Sequence, residues 1–435
     1  MTHAHCLARR KRLLKTIGNG VAIIPTAPEV VRNRDAHYPY RFDSYFWYLS
    51  GFPEPEAVIV LVGATPGRKG RAILFCRDKH EEREIWDGYR YGPKAAKAAF
   101  GFDAAYPIDD FDKKLPELLV DRDYLWHSVG HDAEWDARIT RALNAVRAQT
   151  RAGKRAPRAI LDLRAELDAM RQIKDPAELE RMQQAADIAS AGHARAMRNC
   201  HPGMAEYALE AELTYEFRRR GADAHAYTPI VAGGANACVL HYVENDKLLN
   251  DHTLVLVDAG CEVGGYAADI TRTFPVNGRF SPAQRDVYEI VLAAQEAAFA
   301  ATAPGRHFME AHDAAVRVLT RGLIDLKLLQ GDLDGLIEQG AYKRFYMHRT
   351  GHWLGLDVHD AGEYKVGDEW TVLQPGMTLT VEPGLYLRPA ADLPPELAGI
   401  GIRIEDDVRV TDSGCEVYTS APKTVAEIEE VMCHE

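Results

Sequence analysis

Hydrophobic and polar positions follow one pattern in the first part of the chain and another in the rest. Between positions 21 and 167, short apolar runs such as AVIVLV (57–62) and AILF (72–75) alternate with stretches of helical periodicity. Such alternation is typical of an α/β domain, in which strands and helices follow one another. A basic, alanine-rich stretch at 147–158 contains Gly and Pro and is predicted to be an exposed connection.

The rest of the chain opens on a well-marked helix. Asp175 followed by Pro176 is typical of a helix start, and apolar residues recur at helical spacing up to Met197. A helix pair followed by a strand-rich stretch then occurs twice, which indicates two similar halves related by a pseudo-two-fold axis. The predicted segments are helices at 177–199 and 204–220, strands within 227–274, helices within 282–330 and strands within 345–410. We expect an N-terminal domain at residues 1–171 and a C-terminal domain at residues 172–435.

Charge and hydropathy narrow the classes of partner. The 435 residues carry a formal net charge of -12, which disfavours a nucleic acid or an anionic membrane surface as partner. No segment approaches the roughly 20 consecutive apolar residues that a membrane-spanning helix needs. We therefore expect no nucleic-acid partner and no membrane association.

The first residues of the chain and the cysteines indicate the cellular compartment of the protein. Basic residues lie among a few leucines in positions 1–20, but no apolar core and no small-residue cleavage site follow them. This favours an amphipathic first helix with a solvated basic face over a secretory signal. The 7 cysteines are scattered without C-x-x-C spacing, which is unlike a disulfide framework and predicts a reducing cytoplasm.

Two aspartates flank a glycine pair in LVLVDAGCEVGGYAADITRTF. Asp258 ends an apolar strand, and Gly264 and Gly265 supply the backbone freedom that a tight hairpin turn needs. A symmetric register about this turn would place Asp258 and Asp269 opposite each other, with Cβ atoms about 5 Å apart. Carboxylates this close repel unless a proton or a cation lies between them. Two unrelated turn aspartates remain the alternative.

A second pair of carboxylates has a similar setting. Glu382 follows the apolar strand of MTLTVEPGLYL, and Glu405 is expected in the middle of the alternating strand GIGIRIEDDVRV. The Pro-rich link between them predicts a loop on a wide hairpin. A strand glutamate that faces the core needs a partner. The alternative for Glu405 is a surface residue, like the two aspartates that follow it.

Three histidines, His348, His352 and His359, lie close together in FYMHRTGHWLGLDVHDAG. A single histidine is more often structural than a ligand, but three in so short a run are harder to explain that way. The first two have the spacing of a helical zinc pair, but Arg349 stands where H-E-x-x-H needs its glutamate. The nearby glycines also favour an extended backbone. His241 ends another short apolar run.

Together these residues describe an oxygen-rich site. Four carboxylates and one imidazole would balance two divalent cations, and this set suits manganese, while the imidazole also admits cobalt, zinc or iron. Two metals about 3.5 Å apart can share a bridging water and lower its pKa. Arg403 and the surplus histidines can hydrogen-bond a substrate carbonyl or orient a carboxylate ligand. The set therefore indicates hydrolysis of an amide bond.

The motifs VDAG…DITRTFPV, HWLGLDVHD, TVEPGLY and GIRIEDD, in this order, resemble those of the pita-bread metallopeptidases, and most closely the Xaa-Pro aminopeptidases (aminopeptidase P). RNRDAHYPYRFDSYFWYLSGFPEPEAVIVL and REIWDGYRYGP resemble the N-terminal domain of that family, so the likeness covers nearly the whole chain. Methionine aminopeptidases share the ligand pattern but lack this domain. The resemblance implies an α+β fold, with a C-terminal pita-bread (creatinase/aminopeptidase) domain of two-fold pseudo-symmetry preceded by a creatinase-like α/β domain.

The resemblance also implies the metal ligands. Asp258 would chelate one metal, Asp269 and Glu405 would bridge both, and His352 and Glu382 would complete the coordination. Glu382 would in addition accept the proton of an attacking water that bridges the metals. The implied cofactor is a pair of divalent ions, with Mn²⁺ favoured and Co²⁺ or Zn²⁺ as alternatives.

Other matched residues would contact the substrate or brace the ligands. His359 and His241 would contact the scissile carbonyl or its tetrahedral intermediate, and His348 would line the pocket on the proline side. Arg403 would brace the metal ligands from behind. The chain departs from the family at Arg349, because bacterial relatives often carry small uncharged residues between the two histidines of this motif.

Two further residues, Tyr227 and Trp86, match motifs of the family. Tyr227, just before T-P-I-V, would hydrogen-bond Asp269. Trp86 lies in the motif from which, in tetrameric relatives, a tryptophan reaches the active site of a neighbouring subunit. The resemblance thus implies a homo-oligomer, either a dimer or a tetramer.

Three functions agree with these residues. The first is an aminopeptidase that releases the residue before proline from tripeptides and longer peptides with Xaa-Pro at the N-terminus. The second is prolidase, which has the same metal chemistry but takes only dipeptides; the N-terminal motifs favour the first. The third is a non-catalytic pita-bread module that binds peptides, and the retention of all the ligand positions argues against it.

Overall fold

The computed structural model describes residues 3–433, and the chain divides into two compact units between Met170 and Arg171. Each unit has its own sheet and helices. The elements up to the division are α1 (His3–Thr16), β1 (Gly20–Pro25), β2 (Val31–Asn33), β3 (Ala36–His37), α2 (Ser44–Ser50), β4 (Val58–Val62), β5 (Arg71–Cys76), α3 (Glu81–Asp87), α4 (Gly92–Phe100), β6 (Ala104–Pro107), α5 (Phe111–Leu119), β7 (Tyr124–Trp126), α6 (Ala133–Arg147), β8 (Ala159–Leu161) and α7 (Arg164–Gln172).

The first unit is built on one mixed six-stranded sheet. Its strand order is β6-β5-β4-β1-β7-β8, with β4 antiparallel to β1 and β5, and with β6, β7 and β8 parallel to their neighbours. Alternate residues of a strand point to the same face, and Val58, Val60 and Val62 thus meet the apolar sides of α5 and α6. The predicted α/β character of this region is confirmed.

The basic face of α1 is solvated only in part, because Lys11, Arg12 and Lys15 are exposed as expected from sequence, whereas two arginines are not. Arg9 and Arg10 are both buried. The Arg10 guanidinium donates to the carbonyls of Leu49, Phe100 and Gly101 at 2.7, 2.8 and 2.8 Å. Burial lowers the pKa of Arg10 to about 10. A planar guanidinium with five donors can satisfy several carbonyls at once, which the count of basic residues could not reveal.

The second unit contains the remaining helices and strands. Its elements are α8 (Pro176–Asn199), α9 (Glu206–Arg219), β9 (Ala224–His225), β10 (Ile230–Gly233), β11 (Leu254–Asp258), β12 (Cys261–Val263), β13 (Tyr266–Ala267), β14 (Thr271–Pro275), α10 (Pro282–Ala301), α11 (Glu310–Asp325), α12 (Leu333–Glu338), β15 (Lys365–Val366), β16 (Glu369–Trp370), β17 (Thr378–Val381), β18 (Gly384–Leu387), β19 (Ile400–Arg403), β20 (Asp406–Val410), β21 (Cys415–Val417) and α13 (Val425–Val431).

The two halves of this unit start in the same way. The Asp175 side chain caps α8 and Glu178 returns a hydrogen bond to the Asp175 backbone, which is a capping box with Pro at the first position. Ser281 and Gln284 form the same device at the start of α10. In each half a second helix packs against the first, and strands follow. The predicted order of helix pair, strands, helix pair, strands is confirmed.

In the first half the register of the hairpin differs from the prediction. The turn is centred between Gly264 and Gly265, which is one residue later than the midpoint of the two aspartates. Asp258 therefore pairs with Thr271, and Asp269 lies two residues away from the predicted position opposite Asp258. The prediction that the two aspartates face each other directly across the ladder is wrong.

In the second half the two glutamates do lie opposite each other. Val381 pairs with Asp406 at the end of the β17–β20 ladder, and the β18–β19 ladder resumes in the same register beyond a gap. This register places Glu382 opposite Glu405 within the gap. Glu405 is thus not in the middle of a continuous strand, as expected, but between β19 and β20, where its N–H donates to the Thr271 carbonyl at 3.1 Å.

None of the helices within residues 3–433 combines the length and the apolar character needed to cross a membrane.

Candidate metal centre

The second unit holds a cavity of about 880 Å³ next to the interrupted ladders. Each residue that the sequence singled out for the site contributes to its wall. These residues are Tyr227, His241, Asp258, Asp269, His348, His352, His359, Glu382, Arg403 and Glu405. Residues that are up to 178 positions apart in sequence are thus brought together by the two halves of the fold.

The first two carboxylates share one hydroxyl group. Tyr227 Oη lies 2.6 Å from Asp258 Oδ1 and 2.5 Å from Asp269 Oδ1. The close approach of the chain here requires Gly260, because a Cβ atom at that position would lie 1.8 Å from the Ala268 carbonyl oxygen. A hydroxyl has one proton and can donate to only one carboxylate at a time. The two acceptor oxygens therefore leave an excess of negative charge between them.

Arg403 holds Asp258 from the opposite side. Its Nη2 donates to Asp258 Oδ2 at 2.5 Å, its Nε donates to Thr271 Oγ1 at 3.0 Å, and its Nη1 donates to Tyr386 Oη at 3.0 Å. Thr271 Oγ1 in turn donates to Glu405 Oε2 at 2.6 Å. The guanidinium is buried, so its geometry is fixed by these three acceptors.

His352 directs one ring nitrogen towards the carboxylates. Its Nδ1 donates to the Trp353 carbonyl at 3.0 Å, and its Nε2 lies 3.5 Å from Asp269 Oδ2 and 3.7 Å from Glu382 Oε1. A backbone acceptor on one ring nitrogen is the usual way in which a metal-ligating histidine is oriented. The segment is aligned by its backbone, because the Thr380 N–H donates to the His352 carbonyl at 3.0 Å.

Two glutamates and one histidine of the cavity have raised pKa values. Burial raises the pKa of Glu382 to about 7, and the nearby Asp269 and Asp258 act in the same direction. Burial and the neighbouring carboxylates likewise raise the pKa of Glu405 well above its ordinary value. Burial lowers the pKa of His352, but the surrounding carboxylates outweigh this and raise the pKa to about 9. The common cause is buried negative charge that has too few cations.

This arrangement fits a metal centre. Ligand atoms of Asp269, His352 and Glu405 all lie within 4.8 Å of one another. Carboxylate oxygens with one imidazole nitrogen are donors that suit divalent cations such as manganese. A cation among these groups would take the place of the protons that the raised pKa values of Glu405 and His352 indicate.

His348 has both ring nitrogens engaged with the protein. Its Nδ1 donates to the Arg349 carbonyl at 2.7 Å, and its Nε2 accepts a hydrogen bond from Tyr386 Oη at 2.7 Å. Burial and the Arg403 charge lower the pKa of His348 to about 3, so the ring is neutral at ordinary pH. It can therefore offer the cavity an apolar ring face. Tyr386, which joins Arg403 to His348, was missed from sequence, where it reads as one more residue of an apolar strand.

His241 and His359 differ from His348 because their ring nitrogens have no hydrogen-bond partner within residues 3–433. Both are exposed in the cavity wall. The rings of His359 and His352 lie 4.3 Å apart at their centroids. Burial and the neighbouring His352 lower the pKa of His359, which favours its neutral form. A neutral imidazole can donate one hydrogen bond to a carbonyl oxygen in the cavity.

The two aspartates after Glu405 are fully buried, not surface residues as the alternative for that strand supposed. Asp407 accepts the Asp269 N–H at 3.0 Å, and Asp406 pairs with Arg272 at 2.6 Å. Arg272 also donates to the Glu405 carbonyl at 2.6 Å. Asp407 and Arg272 thus hold the backbone of two ligand residues, Asp269 and Glu405 respectively. No signal in the sequence distinguished the two aspartates from solvated strand acids, because Asp269 and Arg272, which they contact here, are more than 130 positions away.

Comparison with known proteins agrees with this site. Residues 180–412 match metallopeptidase family M24, and residues 6–126 match the N-terminal domain of aminopeptidase P. The Xaa-Pro aminopeptidase of Escherichia coli is 45% identical over 98% of this chain and 96% of its own length.

Solved structures of relatives have the same fold throughout. The aminopeptidase PepP of Pseudomonas aeruginosa superimposes with a TM-score of 0.97 at 52% identity, covering 99% of this chain and 98% of that one. Zn-substituted aminopeptidase P of Escherichia coli, in complex with product, gives a TM-score of 0.97 at 44% identity, with 99% and 98% coverage. The pita-bread fold expected from the motifs is therefore present. The chain belongs to metallopeptidase family M24 and, within it, to the Xaa-Pro aminopeptidases.

Proposed function

We propose that this protein removes the N-terminal residue from peptides whose second residue is proline, by hydrolysis in the cavity of the second unit. The observation that carries the proposal is the cluster of Asp269, His352 and Glu405, whose ligand atoms lie within 4.8 Å of one another. The family membership of the chain supports the same reaction, since its relatives are named Xaa-Pro aminopeptidases.

Two divalent cations would be held by the carboxylates and the one imidazole of the cluster. When bound, they would supply Lewis-acid polarisation of the scissile carbonyl and a lowered pKa for a water. The residues that would hold the two ions are Asp258, Asp269, His352, Glu382 and Glu405. Manganese suits this oxygen-rich set best, and cobalt or zinc are the alternatives.

Glu382 would accept the proton of the attacking water and return it to the departing amine. Its carboxylate lies at the edge of the cluster, with Oε1 3.7 Å from His352 Nε2 and Oε2 3.7 Å from His348 Nδ1. A carboxylate in a buried site can hold a proton near neutral pH, which is what a group that both accepts and returns a proton needs.

The histidines would divide the substrate between them. His241 and His359 would donate hydrogen bonds to the scissile carbonyl oxygen, where negative charge develops during the reaction. The neutral ring of His348, held by Tyr386, would face the proline ring and contact it by apolar surface. Arg403 and Tyr227 would keep the aspartates in position throughout.

We also propose the organisation of the protein around this reaction. The N-terminal domain would comprise residues 1–171 and the catalytic domain residues 172–435. The protein would act as a dimer or tetramer in the cytoplasm, where the 7 cysteines, all free in the structure, stay reduced. Trp86 is 84% exposed on α3, and a change in its exposure on assembly would indicate that it lies at a subunit interface.

The proposal is tested with Ala-Pro-Ala and Ala-Ala-Ala as substrates and added Mn²⁺. We expect release of the first alanine from the proline peptide only, with activity rising until two equivalents of metal are bound and lost after chelation. Glu382→Gln should bind metal and lack turnover. Equal cleavage of both peptides would contradict the specificity, and full activity at one equivalent would contradict the two-ion site.

A further inference from the structure

One cationic side chain in the wall of the cavity has no ionic partner among residues 3–433. Arg349 follows His348 in the chain, is exposed, and lines the same cavity as the carboxylate cluster. Its guanidinium carbon lies 5.3 Å from the centre of the Trp370 ring and 5.9 Å from that of Tyr364. Two aromatic faces thus restrict where this long side chain can place its charge.

A second cation lies against the same tryptophan. Lys365 Nζ is 4.3 Å from the centre of the Trp370 ring. Within residues 3–433 neither the Arg349 guanidinium nor the Lys365 ammonium forms an ion pair with a carboxylate. Trp370 and Lys365 face each other in the β15–β16 hairpin, where Lys365 pairs with Trp370. Arg349 and Lys365 thus place two positive charges next to one ring.

Arg349 differs from the other charged side chains of the cavity wall in its surroundings. The four carboxylates of the wall belong to the metal cluster, where two divalent cations would balance their charge. Arg349 offers a planar fork of donors that matches a carboxylate in a bidentate way. An anionic group at one end of a ligand in this cavity can therefore pair with Arg349.

We propose that Arg349, supported by Trp370 and Lys365, is a specificity-determining residue that binds a carboxylate of the peptide on the far side of the proline. This inference rests on the proposed function. The substrate class that it names is short peptides with a free carboxylate close behind the proline. That carboxylate is either the C-terminus of a tripeptide or an acidic side chain in third position.

The experiment compares two matched pairs of substrates. Ala-Pro-Ala and its C-terminal amide test the terminal carboxylate, and the amides of Ala-Pro-Asp and Ala-Pro-Asn test the side chain. A charge-assisted contact predicts that the wild-type enzyme prefers the carboxylate member by about tenfold in kcat/KM. The preference should lie in KM, because the contact is made in the bound ground state as well.

Variants separate Arg349 from a general effect of charge. Arg349→Gln should bring the ratio within each pair close to one, and Arg349→Lys should restore part of it, because lysine keeps the charge but not the bidentate fork. Arg321→Gln, which removes an exposed arginine from α11, should keep the wild-type ratio.

The outcomes are distinct. A preference in only one pair supports the proposal and assigns the source of the carboxylate. Equal rates within both pairs for the wild type, or an unchanged preference in Arg349→Gln, would overturn it while the aminopeptidase activity stands. If the wild type cleaved none of the four peptides, the proposed function itself would fail, and this inference with it.

Discussion

His352 Nε2 lies 3.5 Å from Asp269 Oδ2, while the other ring nitrogen is committed to a backbone carbonyl. His352 belongs to the second half of the second unit, and its ring is thereby directed at Asp269, which belongs to the first half. The pKa of His352 is raised to about 9 because these carboxylates outweigh the effect of burial. A divalent cation can neutralise the same carboxylates in place of the proton on His352.

Replacement of His352 by alanine should remove bound metal. The imidazole belongs to the cluster of ligand atoms, so we expect kcat/KM to fall by about 100-fold or more and the metal content to fall with it. His359→Ala is the matched control, because it should lower the activity while the metal stays bound. Metal analysis by mass spectrometry distinguishes the two variants, and a full metal complement in His352→Ala would refute its role as a ligand.

Replacement of Tyr227 by phenylalanine should weaken the site without unfolding it. The variant loses the hydroxyl between Asp258 and Asp269, and we expect metal affinity or kcat/KM to fall by about 10- to 100-fold. Tyr215→Phe, at an exposed position, should have no effect. Metal titration followed by activity measures the difference. An unchanged affinity in Tyr227→Phe would show that the aspartates need no shared donor.

The metal-free protein should lose stability as pH rises, because of Glu382. Its pKa is raised from 4.5 to about 7 by burial, so the folded state holds a proton that the unfolded state releases. Between these two values the folded state binds more protons, and the free energy of unfolding therefore falls with increasing pH.

Thermal unfolding of the metal-free wild type and Glu382→Gln isolates this effect. Relative to the variant, the wild type should lose several degrees in Tm between about pH 4.5 and 7. Added metal should abolish the loss. A difference in Tm that stays constant across this range would contradict the raised pKa. At neutral pH with metal, the variant should be about 100-fold or more less active.

The stability of the protein should depend on a buried ion cluster next to His359 in the chain. Asp360 lies 2.5 Å from Arg171 Nη2 and 2.8 Å from Lys174 Nζ, and these three side chains are at most 2% exposed. Asp360→Asn leaves the buried Lys174 without its counter-charge and leaves Arg171 with the partly exposed Asp357, and it should destabilise the protein by about 3 kcal/mol. Asp334→Asn, which breaks an exposed pair with Arg317, should cost less than about 1 kcal/mol. Chemical denaturation measures both; equal effects would contradict a structural role for the cluster.

Local signals in the sequence predicted the order of elements well. The capping residues Asp175 and Pro176 fixed the start of α8 to within one residue, because a cap acts over a single turn. The glycines of the first hairpin have φ of 59° and 82° at Gly264 and Gly265, as a tight turn requires. The register around that turn was nevertheless misjudged by two residues, since the turn is centred one residue later than assumed.

Long-range partners could not be predicted in the same way. The buried state of Arg10, Asp406 and Asp407 depends on residues far away in the chain, and composition alone suggested solvated positions. Tyr386 and Thr271 have no pattern that distinguishes them from ordinary strand residues, although both hold Arg403. The chemically unusual residues could be identified from sequence, whereas the groups that orient them needed the fold.

We expect the enzyme to hydrolyse the bond on the N-terminal side of proline in peptides longer than two residues. The most direct test measures kcat/KM of the manganese-loaded enzyme for Ala-Pro and for Ala-Pro-Ala under the same conditions. An Xaa-Pro aminopeptidase cleaves the tripeptide, and we expect its kcat/KM to exceed that of the dipeptide by about tenfold or more, the worth of one charge-assisted contact beyond the proline. Cleavage confined to the dipeptide would refute the aminopeptidase specificity and identify a prolidase with the same metal ligands.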